Sequence, residues 1–169
     1  AAKLLHELIQ DDDARRAAVD AGAVPVLVDL VDENRTQHAI VALCSLVAIP
    51  SGVSAALDAK CIDTIVVSMS HVGATPQSNE FAARTLFRLF ARREARELAR
   101  AAGSIPVLVQ LLNVPDAHCR VAAANCLSFH TSDETDRSIA ISAGIVPPLT
   151  AMLAPSCTNP ERTAAARIV

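Results

Sequence analysis

The residues best equipped for chemistry in this sequence are four charged side chains at one interval: Glu80, Arg84, Arg88 and Arg92. A spacing of four keeps them on one side of a helix, opposite Ala82, Leu86 and Leu89. An arginine row can fork to carboxylates or phosphates through parallel hydrogen bonds. The same row also reads as a solvated helix face on which Glu80 and Arg84 pair, a contact worth about 0.2 to 0.5 kcal/mol. Further on, Asn125 offers an amide able to grip peptide backbone, and Phe129, one helical turn later, an apolar anchor. Arg84, Arg88, Asn125 and Phe129 therefore form the expected site for an acidic or phosphorylated extended segment.

Other candidate chemistry is weaker. Cys119, Cys126 and His130 fall near one helical stripe, but seven residues separate the two thiols. That is about 10.5 Å along a helix axis, whereas zinc ligands converge within ~2.3 Å of one ion. The stripe also includes Ala123 and runs beside Leu127, so packing explains it. Asp11, Asp12 and Asp13 precede "ARRAAV", where carboxylates cap the N–H groups at a helix start; the further oxygens and closing glutamate of a calcium loop are missing. The five histidines are scattered, and no nucleophile elbow, phosphate-cradling glycine loop or His-Glu-x-x-His motif is present. No enzyme activity, metal or cofactor is expected of this segment.

The elements that position these residues follow from composition and repetition. The 169 residues are 51% hydrophobic, with a mean hydropathy of +0.34, which supplies a core and argues against disorder. Only 2% are aromatic, with no Trp and no Tyr, so Ala, Leu, Val and Ile must fill the interior, as in close-packed helices. A net charge of -3 and the lack of Tyr or Trp platforms argue against nucleic acid. Apolar runs such as "AIVALC" and "LVAIP" are too short to cross a bilayer, and the acidic centre of "LLHELIQDDDARR" does not fit a secretion signal. Five cysteines without close pairing read as reduced core thiols of a cytoplasmic protein.

"AGAVPVLVDLV" (21–31), "AGSIPVLVQLL" (102–112) and "AGIVPPLTAML" (143–153) repeat one interruption. Glycine reaches positive φ at a helix end, and proline near a helix start gives up an N–H that has no partner there anyway, so one helix stops and the next begins at a steep angle. Gly22, Lys60, Gly103 and Gly144 lie 38, 43 and 41 residues apart, within the period of helical solenoids. In the second copy Lys60 replaces the glycine and Asp63 the proline; a lysine at positive φ costs about 1 kcal/mol, and a reshaped turn is expected there. Each copy has a short helix before the turn, a second after it and a longer third. In the third helices Ala39 with Leu43, Ala82 with Leu86 and Ala123 with Leu127 share one face. Caps are expected at Asn159 before Pro160, at Asn34 three before Gln37, and at Thr131 with Glu134.

These motifs, "AG(A/S/I)(V/I)P" followed by an "LV.LL" helix, resemble the armadillo repeat of catenins and importin alpha, over almost the whole chain; the two-helix HEAT repeat is the alternative. The resemblance implies an all-α fold, a right-handed superhelix of three-helix units. It divides the chain into the end of one unit (1–10), a unit (11–48), a degenerate unit (49–92), a unit (93–131) and an incomplete unit (132–169). Both termini fall inside the pattern, so flanking repeats of a parent chain are expected, and the isolated segment is expected to aggregate or dimerise through apolar end faces.

The resemblance also implies that third helices line a concave binding face. Peptide-binding armadillo proteins hold an extended chain there with Trp and Asn four apart. The matching pairs here are Lys3 and Glu7, Val41 and Ser45, Arg84 and Arg88, and Asn125 and Phe129, none of which keeps the ladder. Two central arginines would repel basic cargo, which argues against a nuclear transport adaptor. The expected function is a protein-binding module whose concave face, from Val41 and Ser45 through Glu80, Arg84, Arg88 and Arg92 to Asn125 and Phe129, takes an acidic or phosphorylated segment. The alternative is a structural part of a cytoskeletal or ciliary axonemal assembly, which would also expose apolar convex faces.

Overall fold

The computed structural model describes residues 2–32, 36–71 and 73–168. Among them it contains only helices: α1 (Ala2–Leu8), α2 (Asp12–Asp20), α3 (Ala23–Asp32), α4 (Thr36–Leu46), α5 (Pro50–Asp58), α6 (Cys61–Ser70), α7 (Pro76–Leu89), α8 (Arg93–Ala101), α9 (Ser104–Leu111), α10 (Ala117–His130), α11 (Glu134–Ser142), α12 (Val146–Met152) and α13 (Asn159–Ala166). After α1 they group in threes. The third helices α1, α4, α7, α10 and α13 pack one on the next, the second helices α3, α6 and α9 do likewise, and α2 packs on α5. Each unit thus leans on its neighbours. None of the described helices is long and apolar enough to cross a membrane.

The recurrent turn has the same geometry four times. Gly22, Gly103 and Gly144 have φ of 76°, 76° and 82°. Lys60 is left-handed as well, at φ 52° and ψ 39°. The expected reshaping does not occur: Lys60 N–H donates to the Leu57 carbonyl at 2.9 Å, as Gly22 N–H does to Val19 and Gly144 N–H to Ile141. The packed helices on both sides hold the lysine in a conformation its own backbone disfavours. Pro25 and Pro106 sit at the third position of α3 and α9, and Asp63 at that of α6, all within the first turn, where no intrahelical acceptor is available.

The shared Ala–Leu face is the core. Ala39, Leu43, Ala82, Leu86, Ala123 and Leu127 are at most 2% exposed. Alanine at one position lets adjacent third helices approach closely, and leucine one turn later fills the space between them.

Two caps differ from the sequence expectation. Thr158, not Asn159, caps α13: Thr158 and Glu161 bond reciprocally in a capping box, while the Asn159 side chain accepts from Arg162. Asp133, not Thr131, caps α11, accepting from Thr135 and Asp136 N–H; Thr131 closes α10 instead, and Glu134 as the first helical residue is too early to complete a box. Asp11 caps α2 through the Ala14 N–H. The cap expected at Asn34 lies outside the described residues.

Candidate functional site

The proposed groove residues project from α4, α7 and α10. On α4, Ser45 donates to the Val41 carbonyl, and its hydroxyl also meets His6 Nδ1 of α1 at 3.0 Å, so Val41 and Ser45 are half-buried. On α7, Arg84 pairs with Glu80 at 3.2 Å and lies over the Phe81 ring, 5.3 Å from its centroid. The Arg84 side chain remains 47% exposed, so the pair is weak and screened and the guanidinium can be re-engaged by another anion.

Arg88 is differently placed. It is half-buried and donates to the Cys44 carbonyl of α4, with the Cys44 sulfur at 3.5 Å. That carbonyl lies near the C-terminus of α4, where following N–H groups bond other acceptors: Val47 to Leu43, Ala48 to Ser45 and Ile49 to Leu46. A cation at the negative end of the helix satisfies it and ties one unit to the next. Arg92 leaves the row altogether, because α7 ends at Leu89 and Arg92 is the N-cap residue of α8. The expected four-residue stripe is therefore broken after Arg88 by the turn into α8.

The two residues on α10 face different hollows. Asn125 shares a cleft of about 550 Å³ with Glu80, Arg84, His118 and Val121, closed by Thr158 and Pro160 at the start of α13. Arg167, which follows α13, donates to Asn125 Oδ1 at 3.4 Å and extends the row. Phe129 lines a second hollow of about 360 Å³, between α8 and the turn into α11. The structure thus brings Glu80, Arg84 and Asn125 together and sets Phe129 apart, because Phe129 stands one turn further along the same face of α10, beside α8. Sequence reasoning missed Arg167. Arg167 could have been found by the repeat spacing, lying 42 residues after Asn125.

The sulfur and imidazole groups are tied into the packing. Burial pushes the Cys61 thiol up to about 12 and Cys119 up to about 11, and raises Cys44 and Cys126 as well, which keeps all four protonated. Cys126 donates to the Ala83 carbonyl of α7 at 2.9 Å. His130 Nδ1 is 2.8 Å from Asp136 Oδ2, its Nε2 faces Ser104 at 3.4 Å, and Arg100 Nε closes on Asp136 Oδ1 at 2.5 Å. Burial lowers the His130 pKa, against the pull of Asp136 and with the help of Arg100 and Arg96. No group of three or more His, Cys, Asp or Glu side chains converges as a metal site among the described residues.

No family model matches the sequence, and no curated protein matches it significantly. Solved structures do. Computationally designed armadillo repeat proteins for modular peptide recognition superpose with a TM-score of 0.85 at 18% identity, over 99% of this chain and 72% of theirs. The fold is an armadillo-repeat solenoid. A second designed armadillo repeat protein, solved in complex with the peptide (KR)4, gives a TM-score of 0.81 at 18% identity over 99% and 72% of the two chains. An engineered protein reaches 0.83 at 29% identity, over 99% and 69%. In this armadillo frame Val41, Arg84 and Asn125 occupy successive third-helix positions, Arg167 stands just past the end of α13, and Ser45, Arg88 and Phe129 stand one turn further along α4, α7 and α10.

Proposed function

We propose that this armadillo array is a non-enzymatic protein-binding scaffold whose concave third-helix face takes an extended acidic or phosphorylated segment of a partner. The observation that carries this reading is the cleft in which the half-exposed Arg84 guanidinium and the Asn125 amide face the same space, with Arg167 continuing the row. Asn125 can pair with the backbone of the bound chain and the arginines with its anions. The designed armadillo protein in complex with (KR)4 takes a basic peptide. Here arginines stand in the row, so the preferred charge is reversed. Val41, Ser45 and Arg88 serve as floor and inter-repeat ties of the face, and Phe129 lies at its edge. Five unpaired cysteines favour a reducing compartment, the cytoplasm.

The test is fluorescence anisotropy with labelled (Glu-Asp)4, the same peptide carrying one phosphoserine, and (KR)4. The acidic peptides should bind, with affinity falling as salt rises, and Arg84→Glu should abolish binding. Preference for (KR)4, or full affinity in the Arg84→Glu protein, sinks the reading.

One observation favours a structural part of a larger cytoskeletal or axonemal assembly. Val26 on α3 and Val67 on α6 are 57% and 64% exposed on stacked second helices, away from the third-helix face. If Val26→Ser/Val67→Ser releases the protein from its native assembly while Arg84→Glu does not, that role prevails.

A further inference from the structure

Of the four phenylalanines in the chain, three gather at the α7–α8–α10 edge. Phe90 is buried. Phe129 packs on it edge-on at 6.2 Å and meets Phe87 at 5.4 Å, tilted by 58°. Phe87 remains 36% exposed, an uncovered aromatic surface in a molecule that otherwise spends its aromatic side chains sparingly. The guanidinium of Arg96 lies over the Phe129 ring, 5.8 Å from its centroid. In the adjoining hollow, Arg93 is paired with Glu97, Arg100 with Asp136, and Asp133 caps α11. Arg96 has no ion pair among the described residues.

We propose that Phe87, Phe129 and Arg96 form a separate subsite for an aromatic side chain with a carboxylate beside it, so that the partner segment is an acidic peptide carrying a phenylalanine. The inference rests on reading the array as a peptide-binding scaffold and adds a second anchor to the Arg84–Asn125 cleft. A ring laid on the exposed Phe87 finds offset or edge-on partners in a pair already tilted to leave its faces unequal. The neighbouring carboxylate meets Arg96, a charge that no acid of this edge already holds, whereas Glu97 and Asp136 are occupied by their own arginines. A buried aromatic anchor beside a desolvated arginine is the arrangement in which few residues carry most of the affinity.

The test uses two labelled peptides, Glu-Asp-Glu-Phe-Glu-Asp-Glu and the same sequence with Ala for Phe, against the native protein and the variants Phe87→Ala, Arg96→Gln and Arg84→Glu. Circular dichroism checks that each variant is folded. The phenylalanine peptide should bind on the order of tenfold tighter. Phe87→Ala should erase that difference while leaving the alanine peptide unaffected, and Arg96→Gln should weaken the phenylalanine peptide more than the other. Equal binding of both peptides, lost in Arg84→Glu, overturns the subsite and leaves the cleft standing. A phenylalanine preference that survives in Phe87→Ala and Arg96→Gln also overturns it. A preference erased by those two variants but indifferent to Arg84→Glu supports the subsite and removes the cleft. Binding of neither peptide removes both.

Discussion

Lys60 is held where an L-residue with a side chain is disfavoured by roughly 1 to 2 kcal/mol, at φ 52°. Replacing it with glycine relieves that cost and gives part back as unfolded-chain entropy, so Lys60→Gly should stabilise the protein by about 0.5 to 1 kcal/mol, read as a higher denaturant midpoint at unchanged slope. A lower midpoint would mean that the lysine side chain contributes more than its backbone costs. Two buried groups set the response to acid. Glu161 accepts from the Thr158 N–H and the Arg120 guanidinium, which lower its pKa from 4.5 to about 2. Its contribution is therefore complete above 4.5 and is lost as pH falls toward 2. His130 shifts downward from 6.5 through burial, so the unfolded chain takes up a proton that the folded one resists, and stability also declines as pH falls below 6.5. Denaturation midpoints should fall in these two windows, and Glu161→Gln should flatten the lower one only. The glycines at three of the four turns were legible in the sequence because positive φ favours them. The role of Arg88 was not, because its acceptor is a backbone carbonyl 44 residues away, and carbonyls leave no mark on composition.

Among the elements, the joint between α4 and α5 leaves no room for a side chain at Gly52. A Cβ built on Gly52 would stand 1.9 Å from the Leu46 carbonyl oxygen, an overlap with backbone that no rotamer change relieves. Gly52→Ala should therefore destabilise by about 2 kcal/mol or more, in contrast to the modest gain that alanine usually brings to a helix interior. Thermal unfolding with a midpoint equal to or above that of the native protein would refute this. The start of α2 was readable from its capping side chain, Asp11, whereas Asp133 of α11 was passed over for Thr131. The one-residue difference at α13 arose because Asn159 and Thr158 both have capping side chains, and only the reciprocal bond to Glu161 selects the threonine. The break of the arginine row had a local cause that spacing alone does not reveal: α7 gives way to α8 after Phe90, so a four-residue interval stops meaning one face.

For the molecule as a whole, periodicity carried the fold, since four turns in register fix both the helices and their stacking. The site was less legible, because the hollow that a third-helix side chain lines depends on how α8 packs on α6 and α9 and how α11 packs on α9, and that is decided by packing rather than by spacing. The first unit presents Leu4 and Leu8 of α1 at 62% and 69% exposure, although the corresponding Ala42 and Leu46 of α4 are fully buried. The isolated chain should self-associate through this apolar pair, with a sedimentation coefficient that rises with concentration. Leu4→Glu/Leu8→Lys should restore a monomer; association unchanged by that double variant would place the contact elsewhere.

The distribution of thiols gives each of the four three-helix groups from α2 to α13 its own reporter. Cys44, Cys61, and Cys119 with Cys126 are enclosed in successive repeats, while Cys157 in the last is only half covered. Alkylation under native conditions should modify Cys157 first and reach the others only when their own repeat opens. The order and spacing of mass additions would then chart how far opening spreads along the array, with no label introduced.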